Sequence, residues 1–90
     1  MPKITIVYGL HFNEMAGQYQ EDLEFEGAAL KDLIGVLEEK YGGFDEELVD
    51  PEKGGLKTTN QILLQREEAK TTPLFTLDAE IHDGDILTLF

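Results

Sequence analysis

The 90 residues of this chain are enough for one folded domain and too few for a second hydrophobic core, so we predict a single domain spanning residues 1–90. Hydrophobic residues make up 41% of the chain and charged residues 29%, which is typical of a globular protein. Seven basic and nineteen acidic side chains give a net charge of −12. This charge repels phosphate backbones and anionic lipids, which argues against binding to nucleic acid or membrane surfaces, and it favours a partner with a basic face.

The chain contains no cysteine, which excludes disulfides, thiolate metal sites and a thiol nucleophile and fits a reducing compartment. Its first residues do not have the charged and then apolar character of a leader peptide. No apolar run approaches the roughly 18 residues of a membrane-spanning helix. We therefore expect a cytoplasmic protein.

The first part of the chain has the pattern of two strands. Residues 3–8 are β-branched and alternate in polarity, and residues 21–26 alternate cleanly, with Leu23 and Phe25 predicted to face the core. These strands would form a hairpin whose connection, residues 9–20, is unusually long. Loops of that length in small domains are often functional or mobile.

The strongest helical pattern follows the second strand. Apolar residues recur with the spacing of one helix face at Leu30, Leu33, Ile34, Leu37 and Tyr41. The pair Gly42-Gly43 then ends the helix, because glycine readily takes the left-handed conformation that closes one. We predict one main amphipathic helix that packs on a sheet.

The second half of the chain contains further strand patterns. Residues 61–65 form an apolar strand, and the polar residues 66–72 form either a loop or a weak edge strand that reaches Leu74. An Asp-Gly turn at residues 83–84 precedes the nearly continuous apolar run of residues 86–90. Such a run suits a strand that is buried in the middle of a sheet.

The order of these elements limits the choice of fold. A hairpin, one helix and a final strand lying parallel beside the first strand correspond to an α+β protein of the β-grasp, or ubiquitin-like, type. We predict a mixed sheet of four to five strands covered by one main amphipathic helix.

The closing segment, Leu77-Asp-Ala-Glu-Ile-His-Asp-Gly-Asp-Ile-Leu-Thr-Leu-Phe90, resembles that of the MoaD/ThiS family of small sulfur carriers. In that family a Leu-x-x-x-Leu/Ile-x-Asp-Gly-Asp stretch precedes the last strand, and the helix over residues 29–41 is also similar to the family's helix. The resemblance implies a C-terminal glycine that a ubiquitin-activating-like adenylyltransferase adenylylates. The adenylate becomes a thiocarboxylate, which gives its sulfur to a synthase subunit in molybdopterin, tungstopterin or thiamine synthesis; some relatives are instead conjugated to lysines.

The chain departs from the family pattern at its C-terminus. Family members carry a few residues and Gly-Gly after the last strand, whereas this sequence stops at Phe90, so the reactive glycine maps to no residue of it. The internal pairs Gly42-Gly43 and Gly54-Gly55 cannot replace it, because only a terminal carboxylate is adenylylated in this way. The sequence therefore leaves three interpretations: a sulfur carrier whose glycine tail lies beyond Phe90, a ubiquitin-like protein modifier, or a tail-less interaction module or subunit of an enzyme complex.

Apolar residues predicted to lie in the long loop, near the sheet edge or on the outer face of the last strand are candidates for a partner-binding surface. These candidates are Phe12, Leu74, Phe75, Leu87, Leu89 and Phe90. The alternative for the loop, which also contains Leu10, is that its apolar residues fold back and form a secondary core.

We predict no metal site, no cofactor and no catalytic residue. His11 and His82 are isolated, and Asp83-Gly84-Asp85 lacks the long loop and terminal glutamate of a calcium site, so a turn is the preferred interpretation. Because no nucleophile, phosphate-binding loop or metal motif stands out, the chain is not expected to be an enzyme by itself.

Overall fold

A computed structural model describes residues 1–9, 11–57, 59–67 and 70–90 of the chain. In chain order, the elements are β1 (Lys3–Tyr8), α1 (His11–Ala16), β2 (Gln20–Glu24), α2 (Leu30–Tyr41), α3 (Phe44–Leu48), β3 (Val49–Asp50), β4 (Gly55–Leu56), β5 (Ile62–Glu67), β6 (Lys70–Leu74) and β7 (Ile86–Leu89).

The main sheet has five strands in the order β2-β1-β7-β5-β6. Strand β7 lies in the middle, parallel to β1 and antiparallel to β5, while β3 and β4 form a separate two-stranded ribbon. The predicted α+β class, the β-grasp arrangement and the central place of the last strand are confirmed. The polar segment after β5 includes the edge strand β6, which was one of the two predicted alternatives, and Glu68 and Ala69 within that segment lie outside the described residues.

The core lies between the sheet and α2. The apolar stripe of this helix is buried, as predicted, at Leu30, Leu33, Ile34 and Leu37. The helix begins where the Asp32 carboxylate accepts the backbone N–H groups of Ala28 and Ala29, at 3.2 and 3.1 Å. Both hydrogen bonds stabilise the charged form of Asp32 and so lower its pKa, and the one from Ala29 has the larger effect.

Strand β7 turns Leu87 and Leu89 toward the helix, where their exposed fractions are 0% and 2%. The prediction that they contact a partner is therefore wrong. Residues two apart in a strand share a face, and both of these leucines lie on the core side of the sheet.

Residues 11–16 of the long connection form helix α1, and this helix carries Phe12 into the core. The Phe12 ring is 0% exposed and stacks on Phe44, with the ring centroids 5.8 Å apart. The prediction that Phe12 belongs to a binding surface is wrong, and the alternative of a secondary core holds for this residue. Leu10 lies outside the described residues.

The Asp83-Gly84-Asp85 segment fastens the final strand to its neighbours. Asp83 Oδ1 accepts the backbone N–H of Lys3 at 2.9 Å. Asp85, only 1% exposed, is held by two hydrogen bonds from the Arg66 guanidinium, at 3.0 and 2.9 Å, and by the backbone N–H of His82 at 2.7 Å. The protein's own donors thus engage both carboxylates, as a structural turn requires.

We predict that Arg66→Gln destabilises the domain by about 2–3 kcal/mol, because the buried Asp85 carboxylate loses its charge-assisted hydrogen bonds. Urea unfolding followed by circular dichroism measures this change. The control is Lys31→Gln, which removes a 3.7 Å ion pair with Asp78 whose side chains are 59% and 87% exposed. That control should shift stability by no more than about 0.5 kcal/mol. Equal effects of the two substitutions would contradict the structural role given to Arg66.

Candidate partner-binding site

The face of the sheet opposite α2 carries a row of uncharged side chains across four strands. The register pairs Val7 with Thr88, Thr88 with Leu63, and Leu63 with Pro73. All four residues are partly exposed. The neighbours of Val7, Leu63 and Thr88 in sequence are buried, so alternation places these three residues on the open face, and the register places Pro73 beside Leu63. Ile86, two residues before Thr88, extends it along β7.

The open face continues to the end of the chain. Phe90 follows Leu89 and, by alternation, lies on the same side as Thr88. The backbone of Phe90 pairs with that of Gln61: Phe90 N–H donates to Gln61 O at 3.0 Å, and Gln61 N–H donates to Phe90 O at 2.6 Å. When the register that pairs Ile62 with Leu74 is continued by one residue, Phe75 lies beside Gln61, on the side away from Phe90. Phe75 is 74% exposed.

These end residues border a groove of about 640 Å³. Its lining consists of Leu56, Lys57, Thr59, Asn60, Gln61, Leu74, Phe75 and Phe90. Among these described residues none is acidic, although nineteen of the 90 residues of the chain are acidic. The groove and the open-face row together, which we call the terminal face, form a partly apolar region whose described residues include no acid, in a strongly acidic protein.

The structure divides the six predicted binding residues into two groups. Leu74, Phe75 and Phe90 meet at the groove, while Phe12, Leu87 and Leu89 belong to the core. Sequence reasoning missed the contribution of Val7 and Leu63. The alternation of β1, which predicts Ile4 and Ile6 as core residues, could have placed Val7 on the outer face, but its cross-strand neighbours depend on the register.

Several acidic side chains around the α2–α3 junction have structural partners. Glu38 accepts the backbone N–H groups of Gly43 and Asp45 at 3.1 and 2.8 Å, which caps the start of α3. The Glu47 carboxylate lies 3.0 Å from His11 Nε2 and so connects α3 with α1. These acids account for part of the negative charge without forming a site of their own.

A second polar cluster, which the sequence did not reveal, joins β1, β2 and α2. The Glu21 carboxylate accepts the Tyr8 and Tyr41 hydroxyls, each at 2.6 Å, and the Lys40 ammonium at 2.7 Å. Gln18 Nε2 donates to the Tyr41 hydroxyl at 2.7 Å. Burial, which is the larger cause, and the hydrogen bond to Glu21 both raise the pKa of Tyr8. The Tyr8 hydroxyl therefore stays protonated and acts as a donor.

The same cluster shifts the pKa values of its ion pair. Burial alone would raise the pKa of Glu21, but the hydrogen bonds from Lys40, Tyr41 and Tyr8 outweigh it, and the net pKa is lowered. The hydrogen bond to Glu21 raises the pKa of Lys40. The cluster therefore favours the charged forms of both groups and stabilises the junction between β2 and α2.

Among the described residues, no group of three or more histidine, aspartate or glutamate side chains is placed to hold a metal ion. His82 is exposed and lies 3.3 Å from Glu80 Oε1. Across the same parts of the chain, no helix has both the length and the apolar character to cross a membrane.

We predict that Glu21→Gln removes part of the acid sensitivity of the fold. Because the pKa of Glu21 is lower in the folded state, its stabilising effect is present above the unfolded pKa of roughly 4.3 and is lost as the pH falls through the folded value. Urea midpoints measured from neutral to acidic pH should therefore fall less steeply for Glu21→Gln than for the wild type. The exposed neighbour Glu24, changed to Gln, is the control and should keep the wild-type slope. Parallel curves for wild type and Glu21→Gln would refute this role.

The fold matches solved structures over nearly the whole chain. A candidate molybdopterin converting factor subunit 1 from Pyrococcus furiosus aligns with a TM-score of 0.72 at 26% identity, covering 100% of this chain and 97% of that chain. Small archaeal modifier protein 1 from Haloferax volcanii aligns with a TM-score of 0.71 at 19% identity, with coverages of 100% and 97%. A chain of the Amycolatopsis orientalis BexX/CysO complex gives a TM-score of 0.71 at 23% identity, with coverages of 97% and 92%.

At the sequence level the comparisons give no further relative. No protein-family profile matches the chain, and a comparison with curated proteins finds no match. The structural neighbours nevertheless include a MoaD-like protein, as the closing segment and the helix indicated, together with small-modifier and CysO proteins. The resemblance to the MoaD/ThiS group is thus confirmed, and the chain is a ubiquitin-like protein with the β-grasp fold of these small proteins.

Proposed function

We propose that the protein is a small sulfur carrier of the MoaD/ThiS type that works in the cytoplasm. It acts as a protein substrate for other enzymes and carries no catalytic machinery of its own. Its pathway would be the synthesis of molybdopterin, tungstopterin or thiamine. The molybdopterin branch has the most direct support, because the 26%-identical neighbour is described as a subunit of a molybdopterin converting factor.

One observation carries the proposal. The likeness to that neighbour extends over 100% of this chain and 97% of the other, so nearly the whole of both chains corresponds. The terminal face supports it, because none of its described residues is acidic and several are apolar, and it lies around the strand from which a reactive tail would leave. A carrier needs such a face to dock on the enzymes that load and unload its terminus.

The chemistry takes place at a C-terminal glycine, which the proposal requires after Phe90. The terminal carboxylate attacks the α-phosphorus of ATP, and pyrophosphate leaves. A sulfur donor at the hydrosulfide level then attacks the acyl carbon, AMP leaves, and a thiocarboxylate remains. Glycine suits this position because a narrow, extended tail must enter the partner's active site, where a side chain would clash.

The expected partners are a ubiquitin-activating-like adenylyltransferase and a sulfur-accepting synthase subunit, both with basic faces. On the open face, acidic residues border the apolar row at the β2 edge: Asp22 lies beside Thr5 and Glu24 beside Lys3 in the register. A partner with an apolar centre and basic side chains toward β2 fits this arrangement. The net charge of −12 would speed the encounter, and added salt would weaken it.

The first test determines the encoded C-terminus and the product of the activation reaction. Unprocessed protein is analysed by intact mass, then incubated with a ubiquitin-activating-like adenylyltransferase, ATP and a sulfide source. A terminal diglycine and a mass gain of one sulfur-for-oxygen exchange support the carrier. Lysine-linked adducts would instead support the modifier, and a stop codon directly after Phe90 would support the tail-less module; either result overturns the proposal.

We predict that Phe75→Ala weakens docking on the adenylyltransferase, because Phe75 is a large exposed aromatic ring on the terminal face. The KM for the carrier in ATP–pyrophosphate exchange should rise about tenfold, as expected for an interface aromatic. Tyr19→Ala is the matched control, since Tyr19 is 79% exposed but lies between α1 and β2. Similar KM values for Phe75→Ala and the wild type would remove this part of the terminal face from the interface.

A further inference from the structure

The last residue of the sheet is held from both sides. On the β5 side, Phe90 exchanges two backbone hydrogen bonds with Gln61, at 3.0 and 2.6 Å. On the β1 side, the Gly9 N–H donates to Leu89 O at 2.7 Å. Both contacts lie beyond the regular strands, which end at Tyr8 and Leu89 and begin at Ile62. The sheet is therefore extended by one residue at the point where the chain leaves it.

Close approach explains why residue 9 is a glycine. A Cβ atom at Gly9 would lie 2.9 Å from Leu89 O and 2.9 Å from Phe90 Cβ. Neither atom is the free end of a flexible side chain, so any larger residue must displace the backbone of the terminal strand or its neighbour. Gly9 thus allows β1 and the end of β7 to meet.

The same two contacts are connected through α1 and α3. The Gly9 carbonyl accepts the Phe12 N–H at 3.1 Å, which ties Gly9 to the first turn of α1. His11 on α1 lies 3.0 Å from the Glu47 carboxylate on α3. The Glu47 carbonyl in turn accepts the Asn60 side-chain amide at 2.6 Å, and Asn60 directly precedes Gln61. These contacts, together with the chain segments between them, form a closed circuit that includes Phe90, and we call this circuit the exit frame.

We propose that Gly9 and Asn60 are positioning residues that fix the place from which the C-terminal tail leaves the sheet and so aim the terminal carboxylate into the partner's active site. This inference rests on the proposed carrier function. Each residue added after Phe90 extends the reach of the tail by at most about 3.5 Å, so a short tail that is bound fully extended in the partner's active site has no slack to absorb a displaced starting point. Misplacement of a reacting group by about 1 Å can cost a large factor in rate.

The test measures ATP–pyrophosphate exchange by a purified ubiquitin-activating-like adenylyltransferase, with the carrier bearing its encoded C-terminus as the varied substrate. Gly9→Ala breaks one side of the exit frame, and Asn60→Ala breaks the other. Gly55→Ala is the matched control for the first, because an added Cβ there meets no atom within 4 Å and the backbone does not have a positive φ. Thr72→Ala, at an exposed residue of β6 that lies outside the terminal face, is the control for the second.

We expect kcat for both frame variants to fall about tenfold, with a smaller change in KM, while the two controls remain at the wild-type values. A merely structural role would act differently, because partial unfolding of a protein substrate lowers its effective concentration and raises the apparent KM without changing kcat. Hydrogen exchange of the Phe90 amide gives a second readout that does not depend on activity. It should be about tenfold faster in Gly9→Ala than in Gly55→Ala.

Two failures can be told apart. If the wild type is activated and both frame variants keep its kcat, the exit frame does not position the tail and only this inference falls. If the wild type is not activated at all, the proposed carrier function is refuted, and the inference, which rests on it, is refuted as well. Unchanged Phe90 exchange in a folded Gly9→Ala would also overturn the inference, since the glycine would then not hold the strand end.

Discussion

The insertion of β7 between β1 and β5 is the constraint on which the rest of the molecule depends. The last strand pairs with the first in parallel and with β5 antiparallel, so the β1–β2 and β5–β6 hairpins become one sheet only through it. No local turn can create a parallel pair, which requires a crossover connection, and α2 lies within this one. The Asp83-Gly84-Asp85 segment secures the crossing because it bonds backbone groups of β1 and the guanidinium of Arg66 on β5.

The central position of β7 also decides which surface can bind a partner. Leu87 and Leu89 are used to fill the core beneath α2, while Ile86, Thr88 and Phe90 face outward. The outer row therefore lies in the middle of the sheet, with β1 on one side and β5 on the other. Strand β7 is paired on both sides, so its outer residues need little ordering on binding, which would lower the entropic cost of the proposed docking. Asp22 and Glu24 on β2 border this face and do not interrupt its uncharged row.

Two polar arrangements organise the ends of the domain around this sheet. The Glu21 cluster gathers two tyrosines and a lysine where β1, β2 and α2 meet, and its carboxylate is satisfied by three donors. The exit frame joins α1, α3 and the segment before β5 to Phe90. Both depend on residues 9–20, since α1 and Gln18 lie within that connection. The long connection thus stabilises both the Glu21 cluster and the exit frame, through its buried Phe12 and through its hydrogen bonds.

The sequence by itself determined the fold class, the main helix and the central last strand, because each of these follows from periodicity and from short-range turn chemistry. It also indicated Phe75 and Phe90 as surface candidates. It could not tell that Phe12 enters the core, because a short helix inside a long connection has too few turns to show a period. It placed Leu87 and Leu89 wrongly, since a strand that is apolar except for one threonine gives little sign of which face is buried. The tertiary structure alone decided the row across four strands, the donors around Glu21 and the circuit of contacts that includes Phe90, because all of these join residues far apart in the chain through strand register and helix packing.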